Sequence, residues 1–333
     1  MEREPNTEYV LSLSYGKDSL ACLGAIEELG WPLDRIIHAE VWATDDIPAD
    51  LPPMVSFKAH ADKIIRERYG VEVEHQCAVR NGEKLTYEKL FYHVPIRKET
   101  TINRFGEGGV SPIAGFPPRL APWCNSRLKL RNLQRVPVYN QRMVQKAQRR
   151  VLSSASLSSR GIGVRAISNA GFSTGPIAQG AKTNIVQYLG IAADEPERIE
   201  RHTKPGFKMP LVEVGWDEAY CRKWCEERDL LSPIYTTATR GGCWFCHNQG
   251  IDQLRLLRKT YPDLWKLLLK WDRDSPVTFK ADGHTVRDYD LRFQAEDLGL
   301  VPTDRKFRWK MLTGDNLIAV TKRNLLKLLE GSV

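Results

Sequence analysis

A small polar turn near the amino terminus carries residue types that bind phosphate. The stretch EYVLSLSYGKDSLACLGAIEELG, which begins at residue 8, has an alternating apolar segment, the turn 14–19 (SYGKDS) and an amphipathic helical pattern. Because the first N–H groups of a helix lack partners and its dipole favours negative charge, this turn predicts an anion site. Ser14 and Ser19 add hydroxyl donors, Lys17 adds a positive charge, and Gly16 lets the backbone approach a ligand. The alternative is a helix N-cap turn that binds nothing.

The turn differs from two common phosphate-binding motifs. A Walker A loop needs Gly five residues before its Gly-Lys pair and Ser or Thr after it. Leu11 and Asp18 occupy those two places. The G-x-G-x-x-G pattern of dinucleotide-binding folds is also missing from this turn.

The cysteines form a second group with chemical potential. The chain has seven cysteines, and in an intracellular protein these predict metal or redox chemistry rather than disulfides. Cys243 and Cys246 frame a Cys-x-x-Cys loop flanked by Gly, which is a metal-ligand spacing. A redox pair is the alternative, but such pairs usually open a helix after an early strand. Cys22 and Cys77 lie in apolar patterns and are expected to be buried.

The segments that must position the turn alternate between the hydrophobic pattern of a strand and that of a helix. Strands are predicted at 9–14, 35–43 and 71–77, and helices at 18–29 and 54–70. This rhythm predicts an α/β fold with a parallel, doubly wound sheet that has helices on both faces. Ligands of such sheets lie at the carboxyl ends of the strands, where the turn falls.

The remaining chain is less regular and then becomes mostly helical. Residues 99–122 are rich in Gly and Pro and predict a long loop, and 134–184 predict a loop-rich insertion that is dispensable for folding. Further elements are predicted as a short helix in 84–94, strands at 184–192 and 208–215, and helices at 193–202, 216–231, 251–271 (interrupted near Pro262) and 316–330. We expect a nucleotide-binding domain over 1–215 and a helical region over 216–333 that carries the Cys-x-x-Cys loop.

Composition and charge restrict the class of protein and its partners. With 42% apolar and 27% charged residues, the chain is typical of a globular protein. The first ten residues lack the apolar core of a signal peptide, and no apolar run reaches ~18 residues, so we expect a cytoplasmic protein without a membrane partner. The net charge of +8 is local, because residues 108–193 contain 12 Lys or Arg and no Asp or Glu. Nucleic acid is therefore a candidate partner of this segment only.

The pattern Ser-x-Gly-Lys-Asp-Ser after a first strand resembles the PP-loop of the adenine-nucleotide α-hydrolase-like superfamily. Within it, the chain resembles the phosphoadenosine phosphosulfate (PAPS) reductase family, including the forms carried by phages and mobile elements, where Gly is commoner than Tyr15. PWCNSRLK (122–129), LGIAADEPERIERH (189–202) and CWFC (243–246) also match family segments. The resemblance implies the superfamily fold, an adenine nucleotide (PAPS or ATP, the latter with Mg²⁺) and a bacterial or phage-infected cytoplasm.

The resemblance also implies roles for individual residues. Ser14, Gly16, Asp18 and Ser19 would hold phosphate oxygens or Mg²⁺. Asp45 or Asp46 would lie near the nucleoside, unless this is only a solvated turn. The catalytic residues it implies are Lys17, Asp18 and Arg127. The nucleotide-binding residues it implies are Ser14, Tyr15, Gly16, Lys17, Asp18, Ser19, Asp45, Lys129 and Arg198.

The family resemblance further implies a four-iron–four-sulfur cluster, with zinc as the alternative. Cys124, Cys243 and Cys246 would be ligands. A fourth ligand would be Cys225, with Cys221 and His247 as alternatives, or one iron would stay open. Free thiols are the remaining interpretation.

Departures from the family leave the reaction open. Reductases of this family carry a nucleophilic Cys in a C-terminal tail, and here no Cys follows Cys246. Ala192 and Pro196 stand where the family has Arg and Ser. The chain is therefore expected to reduce a sulfonucleotide (PAPS or APS) with a thioredoxin-like reductant, as an oxidoreductase, or to use ATP for adenylyl-dependent sulfur transfer, as a transferase. The alternative is a nucleic-acid-modifying accessory protein of the DNA phosphorothioation or tRNA thiolation kind.

Overall fold

A computed structural model describes residues 1–118, 120, 122–130, 184–236, 242–316 and 318. The chain forms two compact units. The first consists of Met1–Thr86 with Cys124–Gly241, and the second of Tyr87–Trp123 with Gly242–Val333. The boundary predicted after residue 215 falls inside the first unit. The predicted insertion and the predicted C-terminal helix lie almost entirely outside the described residues.

Five described strands of the first unit form one parallel sheet. This unit has seven described strands in all. In chain order, they are β1 (Thr7–Ser12), β2 (Arg35–Glu40), β3 (Val73–Cys77), β4 (Val79–Arg80), β5 (Glu83–Lys84), β6 (Asn184–Tyr188) and β7 (Phe207–Lys208). The sheet order is β3-β2-β1-β6-β7, and every neighbouring pair is parallel. β4 and β5 form a separate antiparallel pair. The predicted α/β class with a parallel sheet is confirmed.

The described helices include those predicted near 18–29, 54–70, 84–94, 193–202, 216–231 and 251–271, together with three that were not predicted, among them the one at 286–297. In chain order, the helices are α1 (Lys17–Glu28), α2 (Pro52–Tyr69), α3 (Tyr87–Phe91), α4 (Glu99–Phe105), α5 (Pro196–His202), α6 (Pro210–Glu213), α7 (Glu218–Glu226), α8 (Ile251–Thr260), α9 (Pro262–Asp274) and α10 (Val286–Asp297). Short turns of other helical types occur at Glu107–Gly109, Asn125–Leu130, Pro233–Thr236 and Trp309–Leu312. None of the described helices is both long and apolar enough to cross a membrane.

The core of the first unit lies between the sheet and three helices. Tyr9 and Leu11 of β1 are fully buried in a cluster with apolar residues of α1, α2 and α7. Successive strand residues point to opposite faces, so Val10 belongs to a smaller cluster with other residues of the sheet. A side chain at Gly24 of α1 would lie 2.4 Å from the indole of Trp224. The missing side chain lets α7 pack closely on α1.

The second unit has an aromatic core. Tyr87 and Phe91 of α3 pack with Trp271 of α9, at ring-centroid distances of 5.1 and 6.0 Å. Trp244 and Phe245, the central residues of the Cys-x-x-Cys loop, are buried in the same cluster. The loop is therefore anchored by its two apolar residues.

Two predicted elements are wrong. Residues 208–215, predicted as a strand, contain helix α6, because Pro210 fixes φ near the helical value and starts a turn that buries Leu211. Apolar residues alternate within 208–215 as they do in a strand, and this pattern led to the wrong prediction. The loop predicted over 99–122 contains helix α4, which buries none of its side chains and ends at Gly106 with φ +69°. A helix without an apolar face has no periodic pattern to detect.

Candidate functional site

The predicted phosphate turn joins the carboxyl end of β1 to the first turn of α1. Gly16 occupies the N-cap position in an extended conformation, with φ −77° and ψ 155°. Because Gly has no side chain, it cannot cap the first N–H groups of α1 as Ser, Thr or Asp would. Those donors must find acceptors elsewhere.

Two serine hydroxyls meet inside this turn. The Oγ atoms of Ser14 and Ser19 lie 3.0 Å apart, and the Ser14 N–H donates to Ser19 Oγ at 3.1 Å. The Ser19 hydroxyl donates to the Gly16 carbonyl at 2.9 Å. The structure thus brings together the two hydroxyls that the sequence placed at this site.

The N-terminus of α1 already contacts one oxygen acceptor. The Lys17 N–H donates to the Tyr235 hydroxyl oxygen at 3.1 Å. Burial raises the pKa of Tyr235, so the phenol is neutral and keeps its own proton. An oxygen atom therefore lies where a phosphate oxygen would accept from the same N–H group.

The Lys17 ammonium lies between two carboxylates. Its Nζ is 2.6 Å from Asp18 Oδ1 and 3.1 Å from Glu218 Oε2. Burial lowers the pKa of Lys17, but the bonds and charges of Asp18 and Glu218 outweigh it, and the net pKa is raised. Burial raises the pKa of Asp18, although Lys17 opposes this, and the charges of Glu218 and Glu195 raise it further. The turn thus holds a permanent cation beside an acid that binds its proton more tightly than usual.

The loop after β6 lies directly on this turn. From β1 the chain proceeds through β2 to β3 on one side of the sheet, and β6 then pairs with β1 on the other side. Loops diverge at such a switch point and leave a crevice. A Cβ on Gly190 would lie 2.7 Å from the N and Cα atoms of Ser19. Only a residue without a side chain fits at this approach.

Arg198, predicted to bind the nucleotide, is engaged by a neighbouring acid. Its Nη1 lies 2.5 Å from one carboxylate oxygen of Glu195 and 2.6 Å from the other. The same carboxylate accepts from the Ala192 N–H at 3.2 Å. Arg198 is exposed on α5 and its charge is compensated locally.

The side chain of Tyr15 faces the core of the first unit. Its side chain is fully buried, and its hydroxyl is bonded to Asp62 and His75. Its backbone has φ +57°, a left-handed conformation that costs an L-residue ~1–2 kcal/mol. Tyr15 was predicted to bind the nucleotide, but only its main chain borders the turn.

A buried basic pair supports the same end of the sheet. His38 of β2 donates from Nδ1 to the Leu13 carbonyl at 2.8 Å, since its Nε2 accepts from Lys58 Nζ at 2.7 Å. Lys58 also bonds Asp50 at 2.5 Å. Burial, and next the charge of Lys58, holds the pKa of His38 well below its usual value. A neutral imidazole therefore ties β2 to the start of the turn.

The remaining residues that were predicted to bind the nucleotide lie on two other segments of the first unit. Arg127 and Lys129 are half-buried on the Asn125–Leu130 turn, and Lys129 is close enough to His38 to lower its pKa. Asp45 and Asp46 are exposed in the loop after β2. The carbonyl of Asp45 accepts from Lys84 Nζ at 3.0 Å.

Two candidate metal ligands lie in the core of the first unit. Cys221 and Cys225 of α7 are fully buried, and the Cys225 thiol donates to the Lys17 carbonyl at 3.3 Å. Burial raises the pKa of both thiols to about 12. In this environment the uncoordinated thiols are neutral at pH 7.

The predicted loop ligands belong to a tight turn of the second unit. The Cys246 N–H donates to the Cys243 carbonyl at 3.0 Å, and the Gln249 side chain donates to the same carbonyl at 2.8 Å. Lys280 Nζ donates to the His247 carbonyl at 2.8 Å. Cys124 is half-buried in the first unit. Among the described residues, no three His, Cys, Asp or Glu side chains are grouped to hold a metal ion.

Several residues at the turn were missed by sequence reasoning. Tyr235 is 218 positions from its partner, and nothing in its local sequence marks it. The sequence contains a weak signal for Asp62 and Lys58, because two charged residues four positions apart share one face of α2. His38 left another, as a titratable residue inside an apolar strand.

The comparisons with known proteins add no relative to this description. No protein-family model, curated protein or solved structure matches the chain.

Proposed function

We propose that the protein is a PP-loop enzyme of the PAPS reductase family that binds an adenine nucleotide at residues 14–19. In this proposal, the sheet is the doubly wound type of the adenine-nucleotide α-hydrolase-like superfamily. The reaction is either reduction of a sulfonucleotide or adenylyl-dependent sulfur transfer with ATP. The observation that carries the proposal is the meeting of two serine hydroxyls and the N-terminus of α1 at the carboxyl end of β1.

The arrangement suits a phosphate for electrostatic reasons. Helix α1 directs its positive end at the turn, and anions there are stabilised by ~0.3–1 kcal/mol even when exposed. The Lys17 N–H already bonds the neutral Tyr235 oxygen, and bonds to an ionised oxygen are roughly twice as strong. A phosphate oxygen therefore competes favourably with Tyr235 for this donor.

The same residues suit the chemistry of an adenylyl compound. Lys17 would compensate charge that develops on the phosphate, which is electrostatic stabilisation by a preorganised group. Asp18 would supply a carboxylate oxygen, the ligand type that Mg²⁺ prefers. The family resemblance implies either PAPS or ATP as that compound.

The structure supports the proposed iron–sulfur or zinc centre less than it supports the proposed phosphate site at residues 14–19. Cys243 and Cys246 lie in one turn, whereas the Cys225 thiol is buried and bonded to a backbone carbonyl. The described residues do not assemble a complete ligand set. The basic segment 108–193, which suggests a nucleic-acid partner, lies mostly outside the described residues.

Titration calorimetry with ATP, AMP and PAPS tests the proposal on the variant Lys17→Met. Methionine keeps the length of the side chain but leaves Asp18 and Glu218 without their shared cation, so both carboxylates repel a phosphate. We expect affinity for the preferred nucleotide to fall at least about tenfold, or ~1.4 kcal/mol.

Lys223→Met is the matched control. Lys223 is an exposed lysine of α7 whose Nζ lies 3.8 Å from Glu227, and such surface pairs contribute little. Its affinity should stay within about twofold of the unaltered protein. Absence of binding to all three nucleotides, or equal affinities for both variants, would refute the proposal.

A further inference from the structure

The backbone of the turn contains one unfavourable conformation. Tyr15 has φ +57°, in the left-handed region that residues with a Cβ avoid. It lies between Ser14 and Gly16, which both bond within the turn. Strained residues persist only where their surroundings hold them, and they cluster at ligand sites.

The Tyr15 side chain supplies that hold. Its hydroxyl donates to a carboxylate oxygen of Asp62, and His75 Nε2 lies 3.0 Å from the same hydroxyl. His75 Nε2 is also 2.8 Å from the second Asp62 oxygen. Asp62 belongs to α2 and His75 to β3, so the phenol ties the turn to one helix and one strand of the first unit.

The environment of the phenol keeps it a hydrogen-bond donor. Burial, followed by the bond and charge of Asp62, raises the pKa of Tyr15 far above its ordinary value. The ring also lies edge-on to His38, at a centroid distance of 4.8 Å. The ring and the hydroxyl of Tyr15 are therefore both buried.

We infer that Tyr15 is a positioning residue, held by Asp62 and His75, which keeps the turn in the one conformation able to bind a phosphate. The inference rests on the proposed function for its ligand. Without the anchor, Tyr15 relaxes to negative φ in part of the population, and the donors of Ser14 and Gly16 turn away. Apparent affinity falls by the fraction of molecules that remain competent.

The test compares Tyr15→Phe with Tyr188→Phe. Tyr188 is a fully buried tyrosine of β6 whose hydroxyl donates to the Pro32 carbonyl at 2.8 Å. Both variants lose one buried hydroxyl, but only the first touches the turn. Amide hydrogen exchange of Ser14 and Lys17 is measured in the free proteins, and the dissociation constant for ATP by calorimetry.

We expect Tyr15→Phe to speed exchange at both amides and to weaken ATP binding by about tenfold, equivalent to ~1.4 kcal/mol. Tyr188→Phe should do neither. Asp62→Ala, which keeps the Tyr15 ring but removes the acceptor of its hydroxyl, should act in the same direction and serves if Tyr15→Phe does not fold. The double variant of Tyr15→Phe and Asp62→Ala should bind no more weakly than the single variants, because both remove the same hydrogen bond.

The outcomes separate this inference from the proposed function. Unchanged exchange at Ser14 and Lys17 in both single variants would overturn the positioning role, whether or not ATP binds. Accelerated exchange in a protein that binds none of ATP, AMP and PAPS would support the anchor and refute the proposed function. Accelerated exchange with unchanged ATP affinity would overturn the inference, because the ligand would not need the held conformation.

Discussion

Replacing Gly190 by Ala tests whether the loop after β6 fixes the first turn of α1. The new Cβ would lie 2.7 Å from the N and Cα atoms of Ser19 and 3.0 Å from the carbonyl carbon of Asp18. Ordinary contact begins at 3.4 Å, so the two segments must separate by about 0.7 Å. All three atoms belong to the backbone, which cannot rotate away as a side chain can.

The separation has a stability effect and a binding effect. Overpacking of this kind costs ~1–3 kcal/mol. If α1 takes the whole shift, the distance from Ser14 N to Ser19 Oγ lengthens from 3.1 Å to about 3.8 Å, and that bond is lost. We expect Gly190→Ala to lower the free energy of unfolding by ~2 kcal/mol and to weaken ATP binding by about tenfold.

Urea denaturation and calorimetry with ATP measure the two effects. Gly108→Ala is the control, because a Cβ at Gly108 meets no atom within 4 Å. If both variants show the same free energy of unfolding and the same affinity, the close approach at Gly190 has no role and the reasoning fails. A loss of stability alone would place the shift in the loop and not in α1.

The remaining predictions concern buried groups of the first unit. Because burial and Lys58 hold the pKa of His38 well below its usual 6.5, unfolding takes up a proton, and stability should fall as pH drops below ~6.5. Urea denaturation at several pH values should give a flatter profile for His38→Gln, and an identical profile would contradict this. Burial raises the pKa of Cys225 to about 12, so iodoacetamide should label Cys243 and Cys246 first, as read by mass spectrometry; earlier labelling of Cys225 would show an open core. Iron or zinc that copurifies anaerobically should persist in Cys225→Ser, and its loss would make Cys225 a ligand.

The amino-acid sequence by itself determined the order of the elements from β1 to β3 and the place of the candidate site. Periods of two and 3.6 residues are local properties, so β1, α1, β2, α2 and β3 could be predicted within a few residues of their bounds. The polar turn at 14–19 was found in the same way, since its residue types and its helix follow one another directly. The restart of a helix at Pro262 was predicted because proline acts on its own neighbours.

Only the tertiary structure decided what surrounds that turn. Tyr235 and Glu218 reach Lys17 from more than 200 positions away, and no local pattern encodes such a meeting. The inward direction of Tyr15 depends on Asp62 and His75, which α2 and β3 bring to it. Packing likewise put Cys225 into the core, although the sequence suggested it as a fourth metal ligand. Residue type and spacing specify what a side chain can do, whereas its partners and its burial are set by the packing of distant segments.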